Sequence, residues 1–251
     1  MIDWQTTPAA IWRVTADKRY LRPVVTLHAI QFTDLLGIDR QINKIKLNTE
    51  QFLAGQCANH ALLWGARGTG KSSIIKALLN EYQTQGLRVI QVDKDHLIDL
   101  PEIVDEIRDQ AFHYIVYCDD LSFEAGQDRY KALKSTLEGT IEAPPDNVLV
   151  YVTSNRRHLL PQQRQDNLAA QHIDGELHQG DALEEKLSLA ERFGLNLAFH
   201  PLSQIQYLTI IKHLAGKQYD EALEKRALRY ALERGSRSAR IAQQFQKSLV
   251  R

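Results

Sequence analysis

The sequence predicts an α/β fold: a parallel sheet of five strands covered by helices on both faces, followed by a small, purely helical C-terminal segment. Three observations carry this reading. Short apolar runs alternate with stretches whose apolar residues recur at helical spacing, the signature of strands joined by crossover helices. The first clear run stops at a glycine-rich stretch, Gly65-Ala66-Arg67-Gly68-Thr69-Gly70-Lys71-Ser72-Ser73, and restarts at once as a helix. From Ser203 onward only helical periodicity remains.

Taken in order, residues 1–30 mix Trp4, Trp12, Tyr20, Pro8 and Pro23 with scattered charges and show no clear period. They are assigned only as part of an N-terminal extension, 1–34, that packs on something else. Leu35-Leu36-Gly37-Ile38-Asp39 then leads into a helix over 40–53, marked by Ile42, Ile45, Phe52 and Leu53. Residues 60–64 read as a strand, and Ile74, Ile75, Leu78, Leu79 and Tyr82 fall on one face of the helix that follows. Gly86 stops the chain before a second strand, 87–92, which ends at Asp93. A helix runs from Leu100 or Pro101 to Asp109, with proline suited to its first turn. The third strand, 113–118, is continuously apolar, hence buried on both faces, and ends in Asp119-Asp120. Tyr130, Leu133, Leu137 and Ile141 define a helix over 128–141 that Pro144-Pro145 ends. The fourth strand, 148–152, runs into Thr153-Ser154-Asn155. A polar stretch, 161–184, reads as a long loop of the kind that is functional or mobile. A helix over 187–195 and a short fifth strand over 197–199 complete the alternation. The tail carries two helical stripes, Ile205, Leu208, Ile211 and Leu214, then Leu223, Ala227, Tyr230 and Ala231.

Within the glycine-rich stretch, Gly65, Gly70, Lys71 and Ser72 match G-x-x-x-x-G-K-[ST]. The glycines allow backbone conformations closed to residues with a Cβ, so successive N–H groups from Gly65 to Ser73 can turn inward around phosphate oxygens. The helix starting near Lys71 adds its unpaired N–H groups and positive dipole end. Lys71 would reach the β- and γ-phosphates as a point charge, and the Ser72 hydroxyl would coordinate a magnesium ion. In parallel sheets ligands bind at the carboxyl ends of the strands, where Gly65, Asp119 and Asn155 all lie.

Binding a nucleotide needs only the phosphate loop; hydrolysis also needs a metal-holding carboxylate and a group that orients water. Asp119 is the expected metal-side carboxylate, acting through water, and Asp120 the residue that polarises the attacking water. Asn155 could hold the same water or the γ-phosphate, although Thr-Ser-Asn is also ordinary turn chemistry.

Composition narrows the class. Thirty-one basic and 31 acidic side chains leave a formal charge of zero, so no global field recruits nucleic acid or membrane. Locally, residues 201–251 hold ten Lys or Arg against four Asp or Glu. The two cysteines, Cys57 and Cys118, argue against a disulfide framework and for a reducing compartment. No secretory start and no apolar segment near eighteen residues is present, so the expected location is cytoplasmic and no membrane partner is expected. The nine histidines form no metal-binding spacing, and no motif for covalent catalysis occurs.

Together, Gly65 to Ser72, the strand ending in Asp119-Asp120, the strand ending in Asn155, Glu191-Arg192-Phe193-Gly194 and the helical tail resemble an AAA+ ATPase, a P-loop NTPase. More narrowly, four phrases resemble the bacterial group catalogued as domain of unknown function 815. These are Leu35-Leu36-Gly37-Ile38-Asp39, Leu63-Trp64-Gly65 through Ser73, Cys118-Asp119-Asp120-Leu121-Ser122-Phe123-Glu124, and Thr153-Ser154-Asn155-Arg156-Arg157-His158-Leu159. The resemblance covers about 35–246. It implies ATP and Mg2+ as cofactors, an adenine pocket near Gly37 and Ile38, and Asn155 at the sensor-1 position. Arg192 resembles an arginine finger inserted into a neighbouring subunit, which implies a homo-oligomer. Arg240 resembles the sensor-2 arginine of a lid, with Arg237 the competing choice. One departure stands out: many AAA+ proteins carry glutamate after the metal-side aspartate, where this chain has Asp120. Either hydrolysis is slow or Glu124 supplies the longer reach.

The expected layout is therefore an extension (1–34), a nucleotide-binding α/β domain (35–200) and a helical lid (201–251). The expected function is magnesium-dependent ATP hydrolysis coupled to remodelling or loading of an unknown protein or nucleic-acid client. Two alternatives remain: a nucleotide-sensing interaction module that hardly hydrolyses ATP, and an ATP-dependent DNA binder similar to helicase loaders.

Overall fold

The computed structural model describes residues 2–121, 127–139, 141–155 and 189–249. Its strands are β1 (Ala9–Val14), β2 (Arg19–Pro23), β3 (Ala61–Gly65), β4 (Leu87–Val92), β5 (His113–Cys118), β6 (Val148–Ser154) and β7 (Leu195–Phe199). The helices are α1 (Asp39–Leu53), α2 (Lys71–Tyr82), α3 (Leu100–Ile107), α4 (Gln127–Glu138), α5 (Gln204–Ala215), α6 (Glu221–Glu233) and α7 (Ala239–Leu249), with short 3-10 turns between.

The sheet has seven strands in the order β2-β1-β4-β5-β6-β3-β7, not the expected five. The five expected strands are all present and parallel. The additional two come from the N-terminal segment: β1 joins β4 in parallel, and β2 folds back antiparallel on β1. Specific polar contacts hold this pair in place. The Trp12 indole N–H donates to buried Asp99 at 2.9 Å, Arg19 bridges Asp99 and Glu102 at 3.1 and 2.7 Å, and Arg88 donates to the Trp4 carbonyl at 2.7 Å.

Two other expectations need correction. Helix α4 ends at Glu138, and Ile141 lies beyond it, fully exposed, because Gly139 turns the chain with φ +77° before Pro144-Pro145. Leu195 does not close a helix; it begins β7, pairing with Ala61.

Strand alternation divides the core between the two faces of the sheet. Ala10, Trp12, Leu62, Ile90, Tyr114 and Val116 face α3 and α4, while Leu63, Val89, Ile115, Tyr117 and Tyr151 face α1 and α2. Helices α5, α6 and α7 close on a third apolar cluster around Tyr207, Ile211, Ala227 and Phe245. The Ser203 capping box and the Asp220 cap start α5 and α6. Among the described residues no helix is long and apolar enough to cross a membrane.

His60 pins the start of β3 to its neighbours. Its carbonyl accepts from Leu195 N–H at 3.1 Å and its Nδ1 accepts from Val150 N–H at 3.0 Å. Burial lowers its pKa from 6.5 to about 4, so the native state keeps it neutral where the unfolded chain protonates it. Stability contributed by neutral His60 is complete above pH 6.5 and is lost as pH falls from 6.5 toward 4. The expected loss across that range is about 2–3 kcal/mol. His60→Gln should flatten the pH dependence of the melting temperature in this window; an unchanged slope refutes the assignment.

Candidate functional site

The loop leaving β3 is shaped by close approach. Gly65 has φ +130°, and a Cβ there would lie 2.0 Å from the Phe199 carbonyl oxygen of β7, so only glycine fits. The next residue, Ala66, donates its N–H to that same oxygen at 2.9 Å. Gly68 and Gly70 also take positive φ, +75° and +103°, and Gly70 is the residue from which α2 departs. Thr69 ties the loop internally through a 2.8 Å bond to the Ala66 carbonyl.

Lys71, in the first turn of α2, is 5% exposed. Its ammonium donates to Gly65 O (2.9 Å), Ala66 O (2.7 Å) and Asn155 Oδ1 (3.0 Å). Desolvation lowers its pKa to about 8, despite the opposing pull of Asp119 and Asp120. Next to it, Ser72 donates to Asp119 Oδ1 at 2.8 Å, and Thr153 donates to the same oxygen at 2.5 Å. Burial alone would raise the Asp119 pKa; the hydroxyls of Thr153, Tyr117 and Ser72 and the Asp120 N–H outweigh it and hold the carboxyl below its ordinary range. Asp120 sits in the left-handed region, φ +55°, with its N–H on Thr153 Oγ1 (2.9 Å) and its Oδ1 accepting from Asn155 Nδ2 (2.5 Å). A non-glycine residue at such a φ marks a locally constrained turn.

Most of these residues, though not Gly65, Ala66 or Tyr117, line one cavity of about 490 Å³. Arg67, Gly68, Thr69, Gly70, Lys71, Ser72 and Ser73 form its floor, with Asp119, Asp120, Thr153 and Asn155 at the sheet end. Its apolar end is built by Ile30, Leu35, Leu36 and Ile38. Gly37 is not in the wall; at φ +78° it makes the turn that presents Leu36 and Ile38, and its Cα hydrogen faces Leu202. The C-terminal helices close the cavity through Ala239, Arg240 and Gln243. The start of α7 rests directly on the phosphate loop: a Cβ on Gly68 would meet Ser238 Oγ at 2.9 Å and Arg240 Cβ at 3.2 Å. Both competing arginines are exposed; Arg240 lines the cavity, whereas Arg237 does not, and the Arg237 carbonyl accepts from Leu202 N–H at 3.2 Å.

Arg192 lies outside this cavity. It follows the short helical turn at 189–191 and pairs with Glu138 at the end of α4. Glu124, the Arg156-Arg157-His158 cluster and the polar stretch 161–184 fall outside the described residues. Thr153 and Tyr117 were not anticipated as members of the site. Thr153 could have been suspected, because β6 places it beside Asp119 at the carboxyl edge; Tyr117 reads in sequence only as one more apolar residue of a buried strand.

Five parallel strands ordered with β3 between β6 and β7, a phosphate loop on β3 and a helical segment over it define an AAA+ P-loop ATPase fold. The same fold is found in RuvB of Thermotoga maritima, solved as a point mutant, with a TM-score of 0.54 at 16% identity, and in Aeropyrum pernix Orc1, solved in complex with DNA, with a TM-score of 0.57 at 15% identity. They match 86% and 83% of this chain, which in turn spans 63% and 58% of theirs. No curated protein matches the chain in sequence. Residues 5–251 match the family described as protein of unknown function (DUF815), and the chain belongs to that family.

Proposed function

We propose that the protein binds and hydrolyses ATP in the cavity of about 490 Å³, and that it does so as a self-assembling AAA+ protein. The observation that carries this reading is the convergence in that one cavity of the phosphate loop, the Asp119–Ser72 pair, Asp120, Asn155 and Arg240, beside an apolar end suited to a base. Ile38 and its apolar neighbours take the adenine, while the loop N–H groups and Lys71 take the phosphates. The hydroxyl and carboxylate oxygens of Ser72 and Asp119 form a hard donor set that fits Mg2+. When bound, that ion would neutralise charge developing on the phosphates. Asp120 orients the attacking water. Asn155, now bridging Lys71 and Asp120, exchanges these contacts for the γ-phosphate. Arg240 closes from α7.

Arg192 is assigned to a neighbouring subunit's site, in keeping with its position away from its own cavity. Its permanent charge and planar fork suit phosphate oxygens. The test is steady-state ATP hydrolysis over a range of protein concentrations. Specific activity should rise with concentration, and Arg192→Ala should lose turnover by at least about a hundredfold while keeping ATP affinity. Concentration-independent turnover, or a fully active Arg192→Ala, removes assembly in trans from the account.

One observation favours a second reading, a nucleotide-sensing module with little turnover. Asp120 is one methylene shorter than glutamate and is already engaged by Asn155. Tight ATP binding without hydrolysis at any concentration would select it. The structural likeness to Orc1, whose structure contains DNA, makes DNA the first client to add to the assay.

A further inference from the structure

Residues 24–31 join β2 to the turns before α1 and run against α2 without joining a helix or a strand. Their start is fastened by the Val24 N–H, which donates to Ala9 O at 2.9 Å, and Val24 and Leu27 rest partly buried on the core. Their far end reaches the site. Ile30 lines the apolar end of the cavity proposed for nucleotide, together with Leu35 and Leu36.

One side chain holds that end in place. The Asn80 amide, in the last turn of α2, donates to His28 O at 2.8 Å and to Ile30 O at 2.7 Å. Both partners are carbonyl oxygens, so the amide nitrogen must face them, and its two protons serve one acceptor each. His28 O also accepts from the Ile30 N–H at 2.8 Å, closing a three-residue turn that sets the two carbonyls side by side. Among the described residues, every other hydrogen bond of residues 25–31 stays within the segment itself, up to Asp34. There Asp34 Oδ2 accepts from the Gln31 N–H at 2.8 Å and opens the turn that leads to Leu35 and Leu36.

Helix α2 therefore presents Lys71 from its first turn to one end of the cavity, and Asn80 from its last turn to the strap that walls the other. A single rigid element sets the spacing between the two. We propose that Asn80 is a positioning residue for the base: its amide pins residues 28–30 so that Ile30 closes the apolar end, and affinity beyond that of the phosphates alone depends on it. The inference rests on the assignment of that end to the base made above. It also makes the segment before residue 35, set apart in the sequence as an extension, part of the site. If Asn80 only fastened a surface loop, its removal would leave ligand binding untouched.

Calorimetric titration with a non-hydrolysable ATP analogue and, separately, with inorganic tripolyphosphate, both in Mg2+, separates these cases. Asn80 is half-buried, so Asn80→Ala should fold and melt within a few degrees of wild type. Its affinity for the ATP analogue should fall about tenfold, the worth of the two hydrogen bonds lost, while its affinity for tripolyphosphate stays unchanged. Ile30→Ala should reproduce this selective loss. Adding Asn80→Ala to it should cost less than about twofold more, because the clamp acts through Ile30. Equal losses for both ligands, no loss for either, or losses that multiply in the double variant overturn the inference. A wild-type protein that binds neither ligand, or binds both equally tightly, instead overturns the functional assignment beneath it.

Discussion

Lys71→Met abolishes nucleotide binding and leaves the fold intact. The ammonium meets Gly65 O, Ala66 O and Asn155 Oδ1 at 2.7–3.0 Å in a pocket where it is 5% exposed, so it is preset at the position proposed for phosphate rather than recruited from solvent. A phosphate would replace these neutral acceptors with charged ones, and such charge-assisted bonds are about twice as strong. Removing one partner of a buried charged pair costs about 2–5 kcal/mol, which corresponds to at least about thirtyfold in affinity and reaches a thousandfold or more. Fold stability should move little. Burial already disfavours the charged form, as its pKa of about 8 records, and the methionine stem keeps the packing. Calorimetric titration with ATP beside thermal melting checks both halves. Retained micromolar binding would sink the phosphate-loop assignment, and a collapse in melting temperature would make Lys71 a structural residue instead.

Gly65→Ala fails in the opposite way, by damaging the fold and the site together. The added methyl would sit 2.0 Å from the Phe199 carbonyl oxygen and 3.0 Å from its nitrogen, against backbone that cannot swing aside, and it would do so at φ +130°. Relief requires β3 and β7 to part at their carboxyl ends, where Ala66 N–H meets Phe199 O at 2.9 Å. Strain of this kind, added to a lost ladder bond, costs about 4 kcal/mol or more. For a chain of this size that lowers the melting temperature by on the order of 10 °C. The contrast with Lys71→Met is the useful one: both lose ATP, but only Gly65→Ala melts early. Melting within about 2 °C of wild type would show that the β3–β7 junction yields more easily than its geometry indicates.

What the sequence made legible was whatever repeats or clusters along the chain. The parallel strands announced themselves as apolar runs ending in glycine, acid or amide, and the phosphate loop by spacing alone. The two N-terminal strands did not. In β1, Ala9 and Ala10 are both buried, so no alternation survives, and β2 buries only Leu21 between flanking arginines and a proline. Their place in the sheet depends on Trp12 and Arg19 finding Asp99, contacts across eighty residues or more that no local pattern encodes. Thr153 and Tyr117 were hidden for a related reason: their roles come from β5 and β6 lying side by side. That Arg240 rather than Arg237 lines the cavity likewise depends on the start of α7 being set against Gly68.

The strand order also dictates when the site can exist. β3, which carries the phosphate loop, lies between β6 and β7, and its wall is finished by residues of α7, so every lateral partner of this apolar strand is made long after it. Pairings this distant in sequence form late and slowly, because the loop between them must be closed first. During synthesis β3 therefore waits unpaired with two open edges, a state prone to association with other chains. A nucleotide bound as proposed could not rescue it there, since the cavity that would hold it is assembled last. Such a ligand would stabilise the finished fold without guiding the chain toward it.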